Sequence, residues 1–139
     1  MQNFNSSTPS FNQVLTNVGW CELKKYNQKS PVLVFDSKMN HKYLCPRIYS
    51  THYYDGAVIN LDTDHSTIAL KPSSLILSNG ELKKVKEVVR GDKLNRFYLS
   101  QTVEFAEPYQ WDGYMCSLFF GENLYLPVKM NNDYILLGV

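Results

Sequence analysis

The sequence lacks the features that mark several protein classes. Its three cysteines, Cys21, Cys45 and Cys116, are scattered without C-x-x-C spacing, so neither a zinc site nor a disulfide framework is indicated. No apolar run approaches the roughly 20 residues that a membrane-spanning helix needs. The N-terminus lacks the basic and apolar regions of a secretory signal, and no glycine-rich phosphate loop is present. We therefore predict a protein that is not secreted, does not contact a membrane and holds neither a metal nor a cofactor.

An excess of charge of one sign is also missing. The 14 basic and 13 acidic residues leave a net charge of +1, too little to attract nucleic acid over a distance. One basic cluster is interleaved with valines and glutamates, which is typical of a solvated segment; it comprises Lys83, Lys84, Lys86 and Arg90. The run Asp-Thr-Asp-His at residues 62–65 has residue types that bind metals, but on a polar turn such side chains usually bond to the backbone. No nucleic-acid partner is predicted.

Aromatic and β-branched residues are what the sequence has in quantity. Its 10 tyrosines and 7 phenylalanines favour pleated, half-buried strands. Polar turns at residues 62–65 and 131–133 separate apolar runs and predict two hairpins. Only residues 81–89 show helical spacing, and we expect no long helix there. The prediction is an all-β fold, with a flexible polar arm over residues 1–10 and a single domain over residues 11–139.

The sequence also contains an internal repeat. The run Val-Leu-Thr-Asn at residues 14–17 recurs as Ile-Leu-Ser-Asn at residues 76–79, and at the same offset Leu23 matches Val85 and Val32 matches Leu94. Further along, Tyr-Asp-Gly at residues 54–56 matches Trp-Asp-Gly at residues 111–113. Two copies are too few for a solenoid, so the repeat predicts a compact domain with an approximate two-fold axis.

The second copy carries a family resemblance. Residues 75–94, with the sequence Leu-Ile-Leu-Ser-Asn-Gly-Glu-Leu-Lys-Lys-Val-Lys-Glu-Val-Val-Arg-Gly-Asp-Lys-Leu, resemble the middle motif of the Hint fold shared by inteins and hedgehog autoprocessing domains. Residues 14–35 resemble the opening intein motif, and residues 111–118 with residues 131–139 resemble the closing one. The resemblance spans residues 7–139 and implies a closed, intein-like β fold.

The resemblance also implies a self-processing site. In this family a Cys or Ser at the first motif position attacks its own preceding peptide bond, which transfers the acyl group to sulfur or oxygen. That position falls on Ser7 here, with Ser10 close enough to be an alternative. Cys21 is the better nucleophile by residue type, but it lies within the repeat, where a half-buried structural thiol is expected.

The other two catalytic positions of the family are altered. The expected Thr-x-x-His step falls on Lys-Pro-Ser-Ser at residues 71–74, so Ser74 replaces a histidine that would act as general acid. His65 is the nearest imidazole in sequence, but it lies on a predicted hairpin turn. At the end, Leu-Leu-Gly-Val at residues 136–139 replaces the expected Val-Val-His-Asn, and Val139 has no group that could cyclise.

These departures predict a catalytically inactive Hint-like domain that serves as a structural or protein-interaction module. The alternative is residual autoprocessing by an N-terminal serine. A protein partner is expected because tyrosine is favoured at interfaces, and the aromatic residues exceed what a small core needs: Tyr43, Tyr49, Tyr53, Tyr54, Phe97, Tyr98, Tyr109 and Trp111. Similarity to small Hint-like proteins of phages and mobile elements predicts a viral origin and a cytoplasmic or virion-associated location.

Overall fold

The computed structural model describes residues 4–94 and 100–139. Within these residues nearly all regular structure is β, which confirms the predicted fold class. Two short 3-10 helices span Leu23–Lys25 and Val85–Glu87. The strands are β1 Thr8–Pro9, β2 Gln13–Thr16, β3 Gly19–Glu22, β4 Val32–Phe35, β5 His41–Leu44, β6 Ile48–Thr63, β7 Thr67–Leu70, β8 Leu75–Ser78, β9 Glu81–Lys84, β10 Lys93–Leu94, β11 Gln101–Phe119, β12 Tyr125–Lys129 and β13 Ile135–Gly138.

The strands form one curled sheet around a large core, and Phe35, Leu77 and Leu136 form a second, smaller buried cluster. The hydrogen-bonded order is β3-β2-β4-β12-β13-β8-β10-β11-β6-β7, and β1 pairs with β11. Strands β2 and β7 alternate between buried and partly exposed residues, whereas all four residues of β8 and of β13 are buried. That difference is expected, because a strand at the edge of a core buries one face and a central strand buries both. No helix in the described part of the chain is long and apolar enough to cross a membrane.

The internal repeat is visible in the backbone. Strands β2 and β3 and the first 3-10 helix match β8, β9 and the second 3-10 helix at an offset of 62 residues (76 minus 14). The hydrogen bonds repeat as well: Leu23 N–H donates to the Asn12 carbonyl at 2.9 Å, and Val85 N–H donates to the Ser74 carbonyl at 2.8 Å. The two copies therefore share one local architecture, and Asn12 is the counterpart of Ser74.

The two longest strands pair with each other at the centre of the repeat. Strands β6 and β11 form an antiparallel ribbon in which Asp55 faces Asp112. These residues occupy the same place in the two aromatic-Asp-Gly motifs, 57 positions apart (112 minus 55), so the approximate two-fold axis passes between them. Gly113 leaves room for the Trp111 ring, because a Cβ there would lie 2.6 Å from it, and a Cβ on Gly56 would make a tight 3.0 Å contact with the Tyr54 hydroxyl.

Most local predictions agree with the structure, and one is wrong. The hairpins β6–β7 and β12–β13 form as predicted, and residues 81–89 contain only a strand and a short 3-10 helix. The flexible arm does not extend over residues 6–9: Ser6, Ser7 and Thr8 are buried, because β1 pairs with β11 and draws the segment onto the domain. Of the aromatic residues expected at an interface, Phe97 and Tyr98 lie outside the described residues.

Candidate functional site

The site begins with the pairing of β1 against β11. Thr8 lies opposite Cys116, so the preceding residue, Ser7, comes to lie beside Ser117. Their hydroxyl oxygens are 2.8 Å apart and share a hydrogen bond. Ser7 is only 7% exposed, so its hydroxyl is held in place by the domain.

Ser74 contacts the same residue from the other side. Residues 71–74 form a tight turn before β8, closed by the Ser74 N–H donating to the Lys71 carbonyl at 3.1 Å. The fully buried Ser74 hydroxyl accepts a hydrogen bond from the Ser7 N–H at 3.1 Å and donates one to the Ser7 carbonyl at 2.7 Å. Both sides of Ser7 along the backbone are therefore bonded to one hydroxyl group.

A third serine fixes the residue before Ser7. The Ser6 hydroxyl accepts a hydrogen bond from the Leu75 N–H at 2.8 Å and donates to the Leu75 carbonyl at 3.4 Å. The peptide bond between Ser6 and Ser7 is thus held by side chains on both of its residues. Ser6, Ser7, Ser74 and Ser117 are called the serine cluster below.

The serine cluster opens onto a pocket that contains no acid or base titrating near neutrality. Its volume is about 230 Å³. The pocket is lined by Phe4, Asn5, Ser6, Ser7, Ile48, Ser50, Ser117, Leu118 and Phe119. Attack by a serine hydroxyl ordinarily depends on an adjacent general base. The described residues that line this pocket supply none.

The nearest thiol is not activated either. Cys116 precedes Ser117 and is buried, and its sulfur lies 3.3 Å from the Tyr49 hydroxyl, which donates to the Leu23 carbonyl at 2.9 Å. Burial raises the pKa of Cys116, although the hydrogen bond with Tyr49 opposes this effect. Burial also raises the pKa of Tyr49. Both shifts favour the protonated form, which is the less reactive form of a thiol or a phenol.

The other candidate residues lie elsewhere. Ser10 is in the turn after β1, where its N–H donates to the Tyr114 carbonyl at 2.9 Å. Cys21 lies on β3 and lines a different pocket of about 250 Å³, which shares no residue with the one at Ser7. Val139 is buried in the core, and its backbone exchanges two hydrogen bonds with Leu124. The His65 ring nitrogens lie 3.7 Å from Asp64 and 3.9 Å from Asp133, at the hairpin turn.

Sequence reasoning missed Ser117. It lies 110 residues from Ser7 along the chain, and only the β1–β11 register brings the two hydroxyls together. A signal was present in the second repeated pair, because Ser117 lies within residues 111–118, the segment that matches residues 54–61. Its partner Ser7 lies in a segment whose composition predicts a disordered arm, and this hid the contact.

Comparisons with known proteins address the fold. The sequence matches no protein-family model and no curated protein. The structure is similar to the bacterial intein-like domain from Clostridium thermocellum, with a TM-score of 0.79 at 10% identity over 94% of this chain and 98% of that one. It is similar to the Ssp DnaB mini-intein variant M86, with a TM-score of 0.77 at 9% identity over 100% and 98% of the two chains.

A splice-inactive variant of the AceL NrdHF class 3 split intein gives a TM-score of 0.74 at 10% identity, over 96% of this chain and 98% of that one. The chain has the Hint fold. This confirms the fold implied by the sequence motifs and the approximate two-fold axis. At these identities the likeness concerns the fold alone. The chemistry of this Hint domain depends on its own residues at the serine cluster.

Proposed function

We propose that this Hint-fold domain holds the Ser6–Ser7 peptide bond intact and acts as a module that binds a protein partner. The observation that carries the first part is the direction of the Ser74 hydroxyl. Its proton is donated to the Ser7 carbonyl, so the Ser7 nitrogen faces a lone pair and receives no proton. An acyl shift needs that nitrogen protonated as it leaves, and a general acid suited to the task has a pKa near the working pH.

The two-fold counterpart of Ser74 supports a structural role. The Asn12 side-chain amide donates to the Ala69 carbonyl at 3.0 Å, as the Ser74 hydroxyl donates to the Ser7 carbonyl at 2.7 Å. Ala69 and Ser7 are themselves counterparts, at the offset of 62 residues (69 minus 7). Each copy therefore ties a neighbouring strand to the turn before its own hairpin. In the first copy the residue held in this way is Ala69, which has no nucleophilic side chain.

Intact mass spectrometry tests the proposal. The protein would be expressed with a folded tag at each end and weighed with and without hydroxylamine, which cleaves ester intermediates. We expect one uncleaved mass in both conditions. Loss of the N-terminal tag at the Ser6–Ser7 bond, abolished by Ser7→Ala, would contradict the proposal.

A second candidate function is residual autoprocessing by Ser7, with Ser10 as the alternative nucleophile. It is favoured by one observation, namely that the Ser7 N–H still bonds to the residue at the expected histidine position. The two candidates differ in the mass experiment, because autoprocessing predicts hydroxylamine-sensitive cleavage at Ser7 or Ser10. Origin from a phage or mobile element, with a cytoplasmic or virion-associated location, stays a prediction.

A further inference from the structure

One face of the β6–β11 ribbon exposes two tyrosines and two aspartates. In the antiparallel register Tyr53 lies opposite Tyr114 and Asp55 lies opposite Asp112. Directly opposed residues share a face, as do residues two apart on one strand, so the four side chains form one continuous group. This group is called the acidic-aromatic patch below.

The tyrosine rings of the patch are open to solvent. Tyr53 is 58% exposed and Tyr114 is 60% exposed, and the rings meet edge to face with centroids 5.9 Å apart. The aromatic residues on the opposite face of the ribbon behave differently, because Tyr54 and Trp111 fold back over the glycines of their own motifs. More than half of the Tyr53 and Tyr114 surface therefore remains available to a partner, and ring faces attract cations.

Among residues 4–94 and 100–139, the aspartates of the patch have no positive partner. Asp112 accepts a hydrogen bond from the Tyr53 hydroxyl at 2.7 Å, and Asp55 accepts one from the Gln110 side-chain amide at 2.9 Å. Within the described part of the chain, no ion pair includes either carboxylate. Like charges directly opposite each other across two strands destabilise the pair. A cation bound between them would relieve this repulsion.

We infer that the acidic-aromatic patch docks an arginine side chain from a basic segment of a partner protein. This rests on the interaction role in the proposed function and names the chemistry of the partner. The guanidinium group is a planar fork of donors that suits carboxylates and also stacks on aromatic rings, whereas the lysine ammonium is a compact, strongly hydrated charge. A second copy of this chain is disfavoured as the occupant, because four carboxylates would meet across the interface.

Peptide binding tests the inference. Fluorescein-labelled peptides of alternating Gly and Arg, Gly and Lys, or Gly and Glu would be titrated with the intact chain and followed by fluorescence anisotropy. The Asp55→Asn/Asp112→Asn variant removes the patch charge while keeping side-chain shape. The matched control, Glu81→Gln/Glu87→Gln, removes two exposed carboxylates outside the patch and changes the net charge equally.

We expect the arginine peptide to bind more tightly than the lysine peptide, and the glutamate peptide not to bind. The patch variant should weaken arginine-peptide binding by about fivefold or more, and the control should not. Equal affinities for arginine and lysine peptides, equal losses in both variants, or no binding would overturn the inference. So would self-association through this face, measured by sedimentation and lost in the patch variant.

A second measurement does not depend on the variants. Amide shifts in a titration of the unaltered chain should move at residues 53, 55, 112 and 114; movement confined to other residues would overturn the inference. The same preparation would be weighed for cleavage. Cleavage with arginine binding contradicts only the inactive role, and an intact mass without binding contradicts only the patch.

Discussion

The two copies of the repeat share a backbone but differ in the side chains that carry chemistry. In both copies a residue before the hairpin accepts a backbone hydrogen bond from the following 3-10 helix and donates a side-chain hydrogen bond to a neighbouring strand. That residue is Asn12 in the first copy and Ser74 in the second. The difference teaches that the fold fixes where a group lies, whereas the residue type decides whether the group can transfer a proton.

The hairpins of the two copies also differ, although their strands match. In the second copy Asn79 and Gly80 have positive φ angles of 53° and 83°, as a tight type I′ turn requires. In the first copy the Thr16 hydroxyl closes the turn, since it donates to the Gly19 carbonyl at 2.8 Å and accepts from the Val18 N–H at 3.2 Å. The second hairpin relies on positive φ at both of its turn residues, whereas the first relies on the Thr16 hydroxyl and on Gly19, whose φ is 123°.

A third difference lies after the second 3-10 helix. Asp92 accepts hydrogen bonds from the Val89 N–H at 3.0 Å and the Asn79 side chain at 3.1 Å, and it forms an ion pair with Lys83. Its counterpart in the first copy is Ser30, which cannot make the same set of contacts. The aspartate of the Gly-Asp pair in the motif is therefore explained by a carboxylate that ties together three parts of the second copy.

The largest expected effect is cleavage gained when an imidazole is placed at position 74, compared with an imidazole at its counterpart, position 12. Ser7→Cys/Ser74→His supplies a better nucleophile and a general acid beside the nitrogen of residue 7, and a positioned acid accelerates proton transfer by about 10²–10⁴-fold. We expect thiol-sensitive loss of an N-terminal tag at the peptide bond between positions 6 and 7, measured by intact mass.

The control places the same groups at the counterpart position. Ser7→Cys/Asn12→His has the same nucleophile, but its imidazole lies where Asn12 faces Ala69, so it should not cleave. Equal cleavage in both variants would show that position 74 has no special access to the bond. An uncleaved Ser7→Cys/Ser74→His variant with a native circular dichroism spectrum would show that more than the histidine is missing.

The next effect is on stability and its pH dependence. Asp92→Asn breaks a partly buried ion pair and weakens two hydrogen bonds, so the free energy of unfolding at pH 7 should fall by about 2–4 kcal/mol. Burial of Asp92 would raise its pKa, but hydrogen bonds from Lys83, Val89 and Asn79 outweigh it and lower the pKa below its ordinary value.

The sign of the pH effect follows from that lowered pKa. The folded state favours the ionised form, so the stabilisation is complete above the ordinary aspartate pKa of about 3.9 and is lost as pH falls through the lower folded value. Urea unfolding from pH 7 to pH 2 should show a shallower acid loss for Asp92→Asn than for the unaltered chain. Ser30→Ala, at the counterpart position, should leave the acid loss unchanged.

Replacing the turn glycine should have a smaller effect. Gly80→Val places a β-branched residue at a φ of 83°, which costs L-residues about 1–2 kcal/mol, so we expect a loss near 2 kcal/mol in the free energy of unfolding. Val18→Gly is the matched change in the first copy. Val18 is 85% exposed, and the loss should stay below about 1 kcal/mol. Similar losses in urea unfolding would mean that both turns have the same backbone demands.

Local sequence patterns predicted most of the fold, because hairpins and repeats depend on residues close in the chain. The two hairpins were readable from polar turns, and the repeat was readable from one constant offset. The burial of Ser6 and Ser7 was not readable. A polar, serine-rich segment has the composition of a disordered tail, and its order comes from pairing with β11 more than 100 residues away.

The site was predicted only in part, because some of its residues meet through long-range strand pairing that local patterns do not encode. The family resemblance named Ser7 and Ser74, and the structure brings them within hydrogen-bond distance. Ser117 required the register of β1 against β11, which no local pattern encodes. The acidic-aromatic patch could not be predicted from local patterns either. The aromatic-Asp-Gly motif is visible twice in the sequence, but only antiparallel pairing sets Asp55 opposite Asp112.

The smallest expected effect is the difference in stability between variants that remove the buried hydroxyl of one hairpin or the other. Thr16 and Ser78 are counterparts, and both are buried. The Thr16 hydroxyl makes two hydrogen bonds, whereas the Ser78 hydroxyl has no partner among the described residues. Removing a paired hydroxyl leaves its partners unsatisfied, while removing an unpaired buried one relieves a desolvation cost.

Thr16→Ala should therefore lower the free energy of unfolding by about 1 kcal/mol, and Ser78→Ala should leave it unchanged or raise it by up to about 1 kcal/mol. Urea unfolding of both variants measures the difference. A loss in Ser78→Ala equal to that in Thr16→Ala would mean that an ordered water or another group satisfies the Ser78 hydroxyl. The two turns would then rely equally on side-chain hydroxyls, and the difference between the roles of Thr16 and Ser78 would no longer hold.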